Sequence, residues 1–220
     1  MKKIFSISVF CITFCINAQI ASRSVDANDF QYLTNEIANQ KYHKDLDIKE
    51  DYLNKNFVNA KITNVNSKVK LRYNIYYDSF EFIKDDKLYR MNKYDNQIID
   101  LENKKTFIYK TYTLKGNSES SYLQVLSNLE KPIVLLKRYI ISKSENSGKN
   151  GVNQTFSSNE LYNKDELYIL SFNNKYEVVS NSSNKTGEFL KKDIATLVKS
   201  NKLNLKKEED LKKLVDLLNK

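Results

Sequence analysis

The chain has 220 residues, of which 40% are hydrophobic and 29% charged, and its formal net charge is +9. This length suffices for one domain with its own core. The sequence has four glycines and one proline and contains no P-loop, G-x-G-x-x-G or G-x-S-x-G motif, which excludes the usual glycine-based phosphate-binding loops and nucleophile turns. Lysines are spread along most segments, as on a solvated surface, so we expect no nucleic-acid partner.

Residues 1–18 have the three parts of a secretory signal peptide. Lys2 and Lys3 form a charged start, residues 4–16 are largely apolar, and Ala18 supplies a small residue at the cleavage site. The apolar part is shorter than the roughly 20 residues that a membrane span needs. We therefore expect a periplasmic or secreted protein, with a mature chain that starts at Gln19 and has no transmembrane span. An uncleaved membrane anchor is the alternative.

Both cysteines, Cys11 and Cys15, lie inside this segment. Each follows a phenylalanine, whereas a lipid-attachment signal has a small residue there, so we do not expect a lipoprotein. The mature chain is then cysteine-free, which excludes disulfides, Cys-ligated zinc, iron–sulfur clusters and thiol catalysis.

Residues 19–49 form a polar N-terminal segment ahead of a single domain, which we place at residues 50–220. Phe30, Leu33 and Ile37 recur at helical spacing, which favours a short helix over about residues 28–40. An exposed leader is the other interpretation of this segment.

The strongest strand pattern covers residues 69–91. Apolar and polar side chains alternate from Val69 to Tyr77 and again around Phe82, which is typical of strands with one buried face. Two-residue turns at Asp78-Ser79 and Asp85-Asp86 would place the large apolar groups of three strands on that face.

This register predicts specific cross-strand neighbours. The expected pairs are Tyr77 with Phe80, Ile75 with Phe82, Phe82 with Tyr89, Phe80 with Met91, and Glu81 with Arg90. The last pair predicts an ion contact on the opposite face, worth about 0.2–1 kcal/mol.

Alternating segments continue along the chain, so we expect a sheet that spans residues 57–179. Ile133 to Leu136 is apolar on both faces, which indicates a strand covered from both sides. Polar residues 142–165 are predicted to form a long irregular loop, either functional or disordered.

Two apolar stripes predict C-terminal helices over residues 188–200 and 206–219, capped by Thr186 and Asn204. Acidic Glu208, Glu209 and Asp210 suit the start of the second helix. The predicted fold is therefore α+β, an antiparallel β-meander with a C-terminal α-helical hairpin. The meander would be a curved open sheet or a partial barrel.

Three segments resemble a family of uncharacterised exported proteins of Bacteroidota. LRYNIYYDSFEF, residues 71–82, is similar to that family's LRYNIYxD-type strand-turn signature, roughly LRYNIYNDEMEF. Residues 202–220 are similar to its charged C-terminal helix, and residues 52–57 to its entry segment. The chain departs from the signature at Tyr77 and Ser79. The resemblance implies export and fold, and it carries over no activity or site residue.

The sequence lacks the residues that most catalytic and metal-binding sites need. His43 is the only histidine, so a His-activated nucleophile or a zinc site is not expected. Calcium could use Asp45 with Asp47, or Asp85 with Asp86, but neither pair resembles a complete oxygen-ligand loop. We predict no catalytic, cofactor-binding or metal residues and no cofactor.

Two further possibilities stay open. Carboxylate-only catalysis needs two converging acids, and Glu81 is the acid within the strongest strand pattern, although its register favours an ion pair. Aromatic side chains could line a ligand pocket or fill the core, and the core is favoured; they are Tyr73, Tyr77, Phe80, Phe82 and Tyr89.

The sequence therefore favours an exported, non-enzymatic binding or scaffolding protein of the cell envelope. Its partner would be an envelope protein, a glycan or a lipid. A carrier of an apolar ligand in a concave sheet face is the first alternative, and a carboxylate-based hydrolase is the second.

Overall fold

The structure, a computed structural model, describes residue 25 and residues 27–34, 52–143 and 162–220. The described residues form ten strands and four helices. The strands are β1 (Val58–Ile62), β2 (Val65–Asn74), β3 (Ser79–Lys84), β4 (Lys87–Arg90), β5 (Ile98–Leu101), β6 (Lys105–Leu114), β7 (Asn117–Val125), β8 (Ile133–Lys143), β9 (Tyr162–Phe172) and β10 (Lys175–Val178). The helices are α1 (Ala27–Leu33), α2 (Ser183–Leu190), α3 (Ile194–Ser200) and α4 (Glu208–Leu218).

The strands form one open antiparallel sheet in the order β10-β9-β8-β7-β6-β5-β1-β2-β3-β4. The α+β class and the antiparallel sheet are confirmed. The prediction of one continuous meander is wrong, because β5 pairs with β1 and not with β4. The sheet is therefore two meanders, β1–β4 and β5–β10, joined along β1 and β5.

Several strands are connected by tight two-residue turns despite the scarcity of glycine. Asp85-Asp86 and Asn173-Asn174 have positive φ at both turn residues, between 49° and 58°, as a type I′ hairpin turn requires. Lys115-Gly116 is a turn of the same kind. Aspartate and asparagine tolerate this left-handed backbone better than most residues, so they take the place of glycine.

The first predicted hairpin register is wrong. Tyr73 faces Phe80, and Arg72 faces Glu81, so the turn contains residues 75–78 instead of Asp78-Ser79. The backbone N–H of Tyr77 donates to the Asn74 side chain at 3.2 Å, and this bond favours the wider turn. The shift is an even number of residues, so the apolar groups stay on the predicted face. The second hairpin has the predicted register.

The sheet curls so that β2 and β3 lie over β6–β8. Five strand spacings separate β2 from β8 in the sheet order, or about 24 Å if the sheet were flat. The ring centroids of Tyr73 on β2 and Tyr139 on β8 are only 6.4 Å apart. The space between these layers holds the first core cluster, which includes the fully buried rings of Phe80, Phe107 and Tyr122.

The second meander buries both of its faces. On β8, Ile133 and Leu135 pack with the C-terminal helices, whereas Val134 and Leu136 pack on the opposite face. The predicted strand with two covered sides is thus confirmed. On that opposite face β10 folds towards β6, where the rings of Tyr176 and Tyr112 lie 5.2 Å apart.

The C-terminal segment differs from the two predicted helices. The residues expected in one helix over 188–200 lie in two, because Lys191 adopts a left-handed conformation (φ 54°) and ends α2. Gly187 permits this close turn, since a Cβ there would lie 2.8 Å from the Lys192 carbonyl oxygen. The C-terminal segment thus has three short helices, and the predicted helical hairpin is not confirmed.

Both predicted helix caps are wrong. Thr186 lies inside α2, and the cap position belongs to Ser182. Helix α4 is preceded by Lys207, while Asn204 instead accepts a hydrogen bond from the Lys206 N–H at 3.0 Å. The acidic first turn of α4 is confirmed: it contains Glu208, Glu209 and Asp210.

Helix α1 is docked on the first meander. The Asp29 carboxylate accepts the backbone N–H of Ser67 on β2 at 2.7 Å, and Leu33 belongs to the first core cluster. Helix α1 covers only part of the expected range of about 28–40, and residues 35–51 are not among the described ones.

Several other predictions also lie outside the described residues. They concern the signal peptide with its two cysteines, His43, and Asp45 with Asp47. The predicted loop over 142–165 is too long at both ends, because β8 extends to Lys143 and β9 begins at Tyr162. Among the described helices, none is long and apolar enough to cross a membrane.

Candidate binding surface on the first meander

The outer surface of β2–β4 is the face turned away from the core, and it contains Arg72, Asn74, Glu81, Ile83, Leu88 and Arg90. These residues share one face because they are cross-strand or alternate neighbours. Glu81 lies at its centre and is fully buried. A buried carboxylate is stable in a fold only if nearby groups compensate for its lost hydration.

Glu81 receives that compensation from three side chains. Its Oε2 accepts hydrogen bonds from Arg72 Nε at 3.1 Å and Nη2 at 3.0 Å. The Tyr52 hydroxyl also donates to Oε2, and Asn74 Nδ2 donates to Oε1, both at 3.2 Å. Glu81 is therefore saturated by its own neighbours.

Aromatic rings hold the Arg72 guanidinium in place. It lies 3.9 Å from the ring centroid of Tyr52 and 4.7 Å from that of Phe57. Burial, together with the charge of Glu81, raises the pKa of Tyr52 to about 12, so its hydroxyl stays a donor. These contacts make Arg72 part of the framework of this surface.

Arg90 differs from Arg72, and here the sequence prediction is corrected. Arg90 faces Glu81 in the β3–β4 register as expected, yet the ion pair of Glu81 is with Arg72. The Arg90 guanidinium instead lies 3.9 Å from the ring centroid of Tyr77. The reason is the revised first hairpin, which places Arg72 directly opposite Glu81 and Tyr77 in the turn beside Arg90.

The guanidinium of Arg90 has an unused hydrogen-bonding group. Its Nε is buried and lacks a hydrogen-bond partner. No carboxylate of the described residues lies within ion-pair distance of Arg90. The surface thus combines two guanidinium groups with a single carboxylate, and that carboxylate is paired with Arg72.

Asp78 fixes the turn that carries Tyr77. Its Oδ1 accepts hydrogen bonds from the Tyr73 hydroxyl at 2.6 Å and from the backbone N–H of Tyr122 at 3.1 Å. That N–H is free because β7 pairs with β8 only at Gln124 and Val125. Burial raises the pKa of Asp78, against the opposing effects of the Tyr73 hydrogen bond and of Lys93, which lies 3.6 Å away.

Exposed apolar side chains lie around this surface. Ile83 is 55% exposed and faces Leu88 across the strands, and Tyr76 in the β2–β3 turn is 43% exposed. The Tyr76 ring contacts that of Tyr77 edge-on at 5.0 Å. Apolar side chains beside a cation are characteristic of a contact surface for a partner.

Other charged clusters connect parts of the fold. Lys137 on β8 contacts Glu166 at 3.2 Å and Glu208 of α4 at 2.7 Å, which joins the helix to the sheet. Arg138 pairs with Glu119 across the gap between β8 and β7. These cations have acidic partners among the described residues, in contrast to Arg90.

The described residues that the sequence offered as metal ligands or pocket residues lie in a turn, in the core or at its edge. Asp85 and Asp86 form a hairpin turn, and no group of three potential metal ligands occurs among the described residues. Tyr73, Phe80 and Phe82 are buried. The Tyr73 ring contacts that of Phe80, and the Phe82 ring contacts that of Phe30. Tyr89 packs partly buried against the same cluster, whereas Tyr77 lies over Arg90.

Three open grooves of about 390, 400 and 460 Å³ lie near α2–α4 and near the loop that precedes β8. None of these three is lined by the aromatic side chains of the first core cluster. The positions of the buried rings therefore favour core packing over a ligand pocket.

Comparisons with known proteins give no further guide to function: the chain matches no protein-family model, no curated protein and no solved structure. The sequence does not single out Arg90, because its alternation pattern predicts an ion pair between Arg90 and Glu81. The sequence pattern places two arginines, Arg72 and Arg90, and one glutamate, Glu81, on the same face. This excess of one cation could have indicated that one arginine lacks an acidic partner on that face.

Proposed function

We propose that this chain is an exported, non-enzymatic binding protein of the cell envelope that holds an anionic partner on the outer surface of β2–β4. The observation that supports this most is Arg90, a partly buried cation without an acidic partner among the described residues. A carboxylate or a phosphate from a partner would satisfy its guanidinium through charge-assisted hydrogen bonds.

The surroundings of Arg90 suit recognition. The Tyr77 ring holds the guanidinium from one side, which reduces the entropy lost when an anion binds. Asp78 and Asn74 fix the turn that carries this ring. The site is thus preorganised by the fold.

The overall charge supports the same function. The sequence carries +9, and removal of the expected signal peptide with Lys2 and Lys3 leaves +7. A cationic protein attracts anionic partners over distances of about a Debye length, ~8 Å at physiological salt. Export, expected from the signal peptide, would place the protein among the anionic polymers and lipids of an envelope.

The partner class is open between protein, glycan and lipid. We rank an apolar-ligand carrier and a carboxylate hydrolase below this function, since no specific contact of the described residues favours either. Glu81 is saturated, and both identified donors to Asp78 come from the fold.

The test measures binding of the purified protein to three anionic probes by biolayer interferometry. The probes are poly-glutamate, polygalacturonate and vesicles of phosphatidylglycerol, which represent the three partner classes. We expect one of them to bind, and Arg90→Gln to weaken that binding by about tenfold, because a charge-assisted hydrogen bond contributes about 1.5–3 kcal/mol.

The matched control is Lys87→Gln, which removes the same charge from an exposed position on the same strand. It should change the affinity by less than about twofold. The proposal fails if none of the probes binds, or if both variants weaken binding equally, since the attraction would then be nonspecific.

A further inference from the structure

Strand β4 is an edge of the sheet, and its hydrogen-bonding pattern can be derived from its turn. Lys84 and Lys87 flank a two-residue turn, so they form a hydrogen-bonded pair. Alternation then makes Phe82 and Tyr89 a hydrogen-bonded pair as well. The Met91 N–H donates to the Phe80 carbonyl at 2.8 Å, which agrees with this phase.

The intervening residues of β4 consequently point their backbone groups away from the sheet. These residues are Leu88 and Arg90, which face Ile83 and Glu81 in non-hydrogen-bonded pairs. No hydrogen bond joins their backbone groups to any other described residue. Two N–H groups and two carbonyl groups are thus directed outwards. This is enough for an added strand of about three residues, because the next outward group, the Asn92 N–H, is bonded to the Leu33 carbonyl oxygen at 2.6 Å.

The side chains of the same two residues lie on the outer surface of β2–β4. The edge therefore presents a cation at Arg90 and an apolar side chain at Leu88. Exposed Ile83 extends the apolar part beside Leu88. A strand that pairs with this edge would meet both chemistries at alternate residues.

The opposite edge of the sheet offers no equivalent. Strand β10 is turned towards β6, and its Tyr176 packs on Tyr112 in the third core cluster. Edge β10 therefore packs in part on the sheet's own β6, whereas β4 carries Arg90 and Leu88 on its outer face.

We propose that β4 receives an extended segment of a partner protein as an added antiparallel strand. The segment has an acidic residue two positions before an apolar one. The acidic residue faces Arg90 and the apolar residue faces Leu88, with backbone hydrogen bonds from both. This inference rests on the proposed function and names the partner class as protein.

Charge complementarity decides between occupants. Strand β4 has the sequence KLYR, with two cations and no acid, so a second copy of β4 would bring like charges together. A lipid or glycan would supply the anion and leave the outward backbone groups of Leu88 and Arg90 unused. An acidic peptide strand satisfies the side chain and the backbone together.

The test uses short blocked peptides with a fluorescent label and measures their affinity for the full purified protein by fluorescence polarisation. One peptide contains Glu-Thr-Val between threonines, and its partner contains the reversed order Val-Thr-Glu. We expect the first to bind about tenfold more tightly, because the antiparallel register aligns only that order with Arg90 and Leu88.

Backbone methylation of the peptide separates strand pairing from simple charge attraction. N-methylation of the glutamate or of the valine removes an N–H that points to β4, and should weaken binding by about tenfold. The N–H of the threonine between them points away from β4, so its N-methylation should change the affinity by less than about twofold. These variants leave the protein unaltered, so misfolding cannot explain the result.

Equal binding of both peptide orders, or equal effects of methylation at all three positions, would overturn the inference. If poly-glutamate still bound in an Arg90-dependent way, the proposed function would stand without strand addition. A third outcome is that neither poly-glutamate nor the peptides bind, while vesicles or polygalacturonate bind in an Arg90-dependent way. In that case the anion site would be right and the assignment of the partner as a protein would be wrong.

Discussion

At the scale of single residues, two arginines on one strand face have different roles. Arg72 neutralises a fully buried glutamate and lies between two aromatic rings. Arg90 has a ring on one side and a buried Nε without a partner. The difference predicts opposite responses to the same substitution.

Arg72→Gln should destabilise the protein strongly, because it leaves the buried Glu81 without a cation. We expect a loss of about 3 kcal/mol in the free energy of unfolding, near the lower limit for a broken buried ion pair. Urea denaturation followed by circular dichroism measures this change. The double variant Arg72→Gln with Glu81→Gln should recover most of the loss, and a double variant as unstable as the single one would contradict the assignment.

The sequence predicted the faces of these strands and not the partner of Glu81. Alternation determines which side chains share a face, and an even shift of register leaves that property unchanged. The choice between Arg72 and Arg90 depends on where the turn begins. Here that depends on the Asn74 side chain and on the left-handed backbone of Asp78 (φ 44°).

At the scale of elements, α1 is attached to β2 through a carboxylate. Asp29 accepts the backbone N–H groups of Ser67 and Asn66. Hydrogen bonding to the Ser67 side chain, helped by these backbone bonds, lowers the pKa of Asp29 below its usual range. Such a group stabilises the fold at pH values above its unfolded pKa, and the stabilisation disappears as pH falls through the lower folded pKa.

Asp29→Asn should therefore cost about 1.5 kcal/mol at pH 7. The difference from the parent protein should begin to shrink below about pH 4, the pKa of an unfolded aspartate, and should be lost as pH falls through the lower folded pKa. Thermal unfolding between pH 2.5 and pH 7 measures both values. The exposed Asp216→Asn on α4 serves as control, and a difference for Asp29→Asn that persists unchanged at low pH would refute the role of its charge.

The junction of α2 and α3 depends on the absence of a side chain at Gly187. Gly187→Ala should destabilise the protein by about 1–3 kcal/mol, as overpacking does, because its Cβ would lie 2.8 Å from a backbone oxygen. Chemical denaturation checks this. Asn184→Ala is exposed in the same helix and should be neutral or slightly stabilising, since alanine favours helices. Equal effects of the two substitutions would argue against the close contact.

The break between α2 and α3 shows what periodicity misses. Leu190 and Ile194 fit one apolar stripe, and both are buried with the same helices and sheet. The apolar spacing continues through the break because both helices bury side chains in the same core cluster. Only the backbone approach at Gly187 and the αL conformation of Lys191 end the first helix there.

At the scale of the whole molecule, the sheet stays open in its hydrogen bonding, and aromatic contacts pack its two halves against each other. The period-two pattern predicted the span of the sheet and the turn at Asp85-Asp86, because those depend on neighbours in the sequence. The curl depends on contacts such as that between Phe80 and Tyr122, whose rings are 5.0 Å apart across the molecule. No local pattern encodes such a contact, so the sequence does not predict the pairing of β5 with β1.

The curl also gives the binding surface its position. It buries the inner face of β2–β4 against β6–β8, so Arg90, Leu88 and Ile83 are left on the outside of the molecule. The edge β4 lies at the end of the sheet order, where a partner strand can approach. The remote core contacts therefore support the candidate site without touching it.

The proposed role of Arg90 is in binding and not in folding. The most direct measurement determines, on one preparation of Arg90→Gln, the free energy of unfolding and the affinity for the anionic probe that the parent protein binds. We expect stability within about 1 kcal/mol of the parent, since Glu81 keeps Arg72, and an affinity about tenfold weaker. Unchanged affinity, or a loss of stability as large as that of Arg72→Gln, would contradict it.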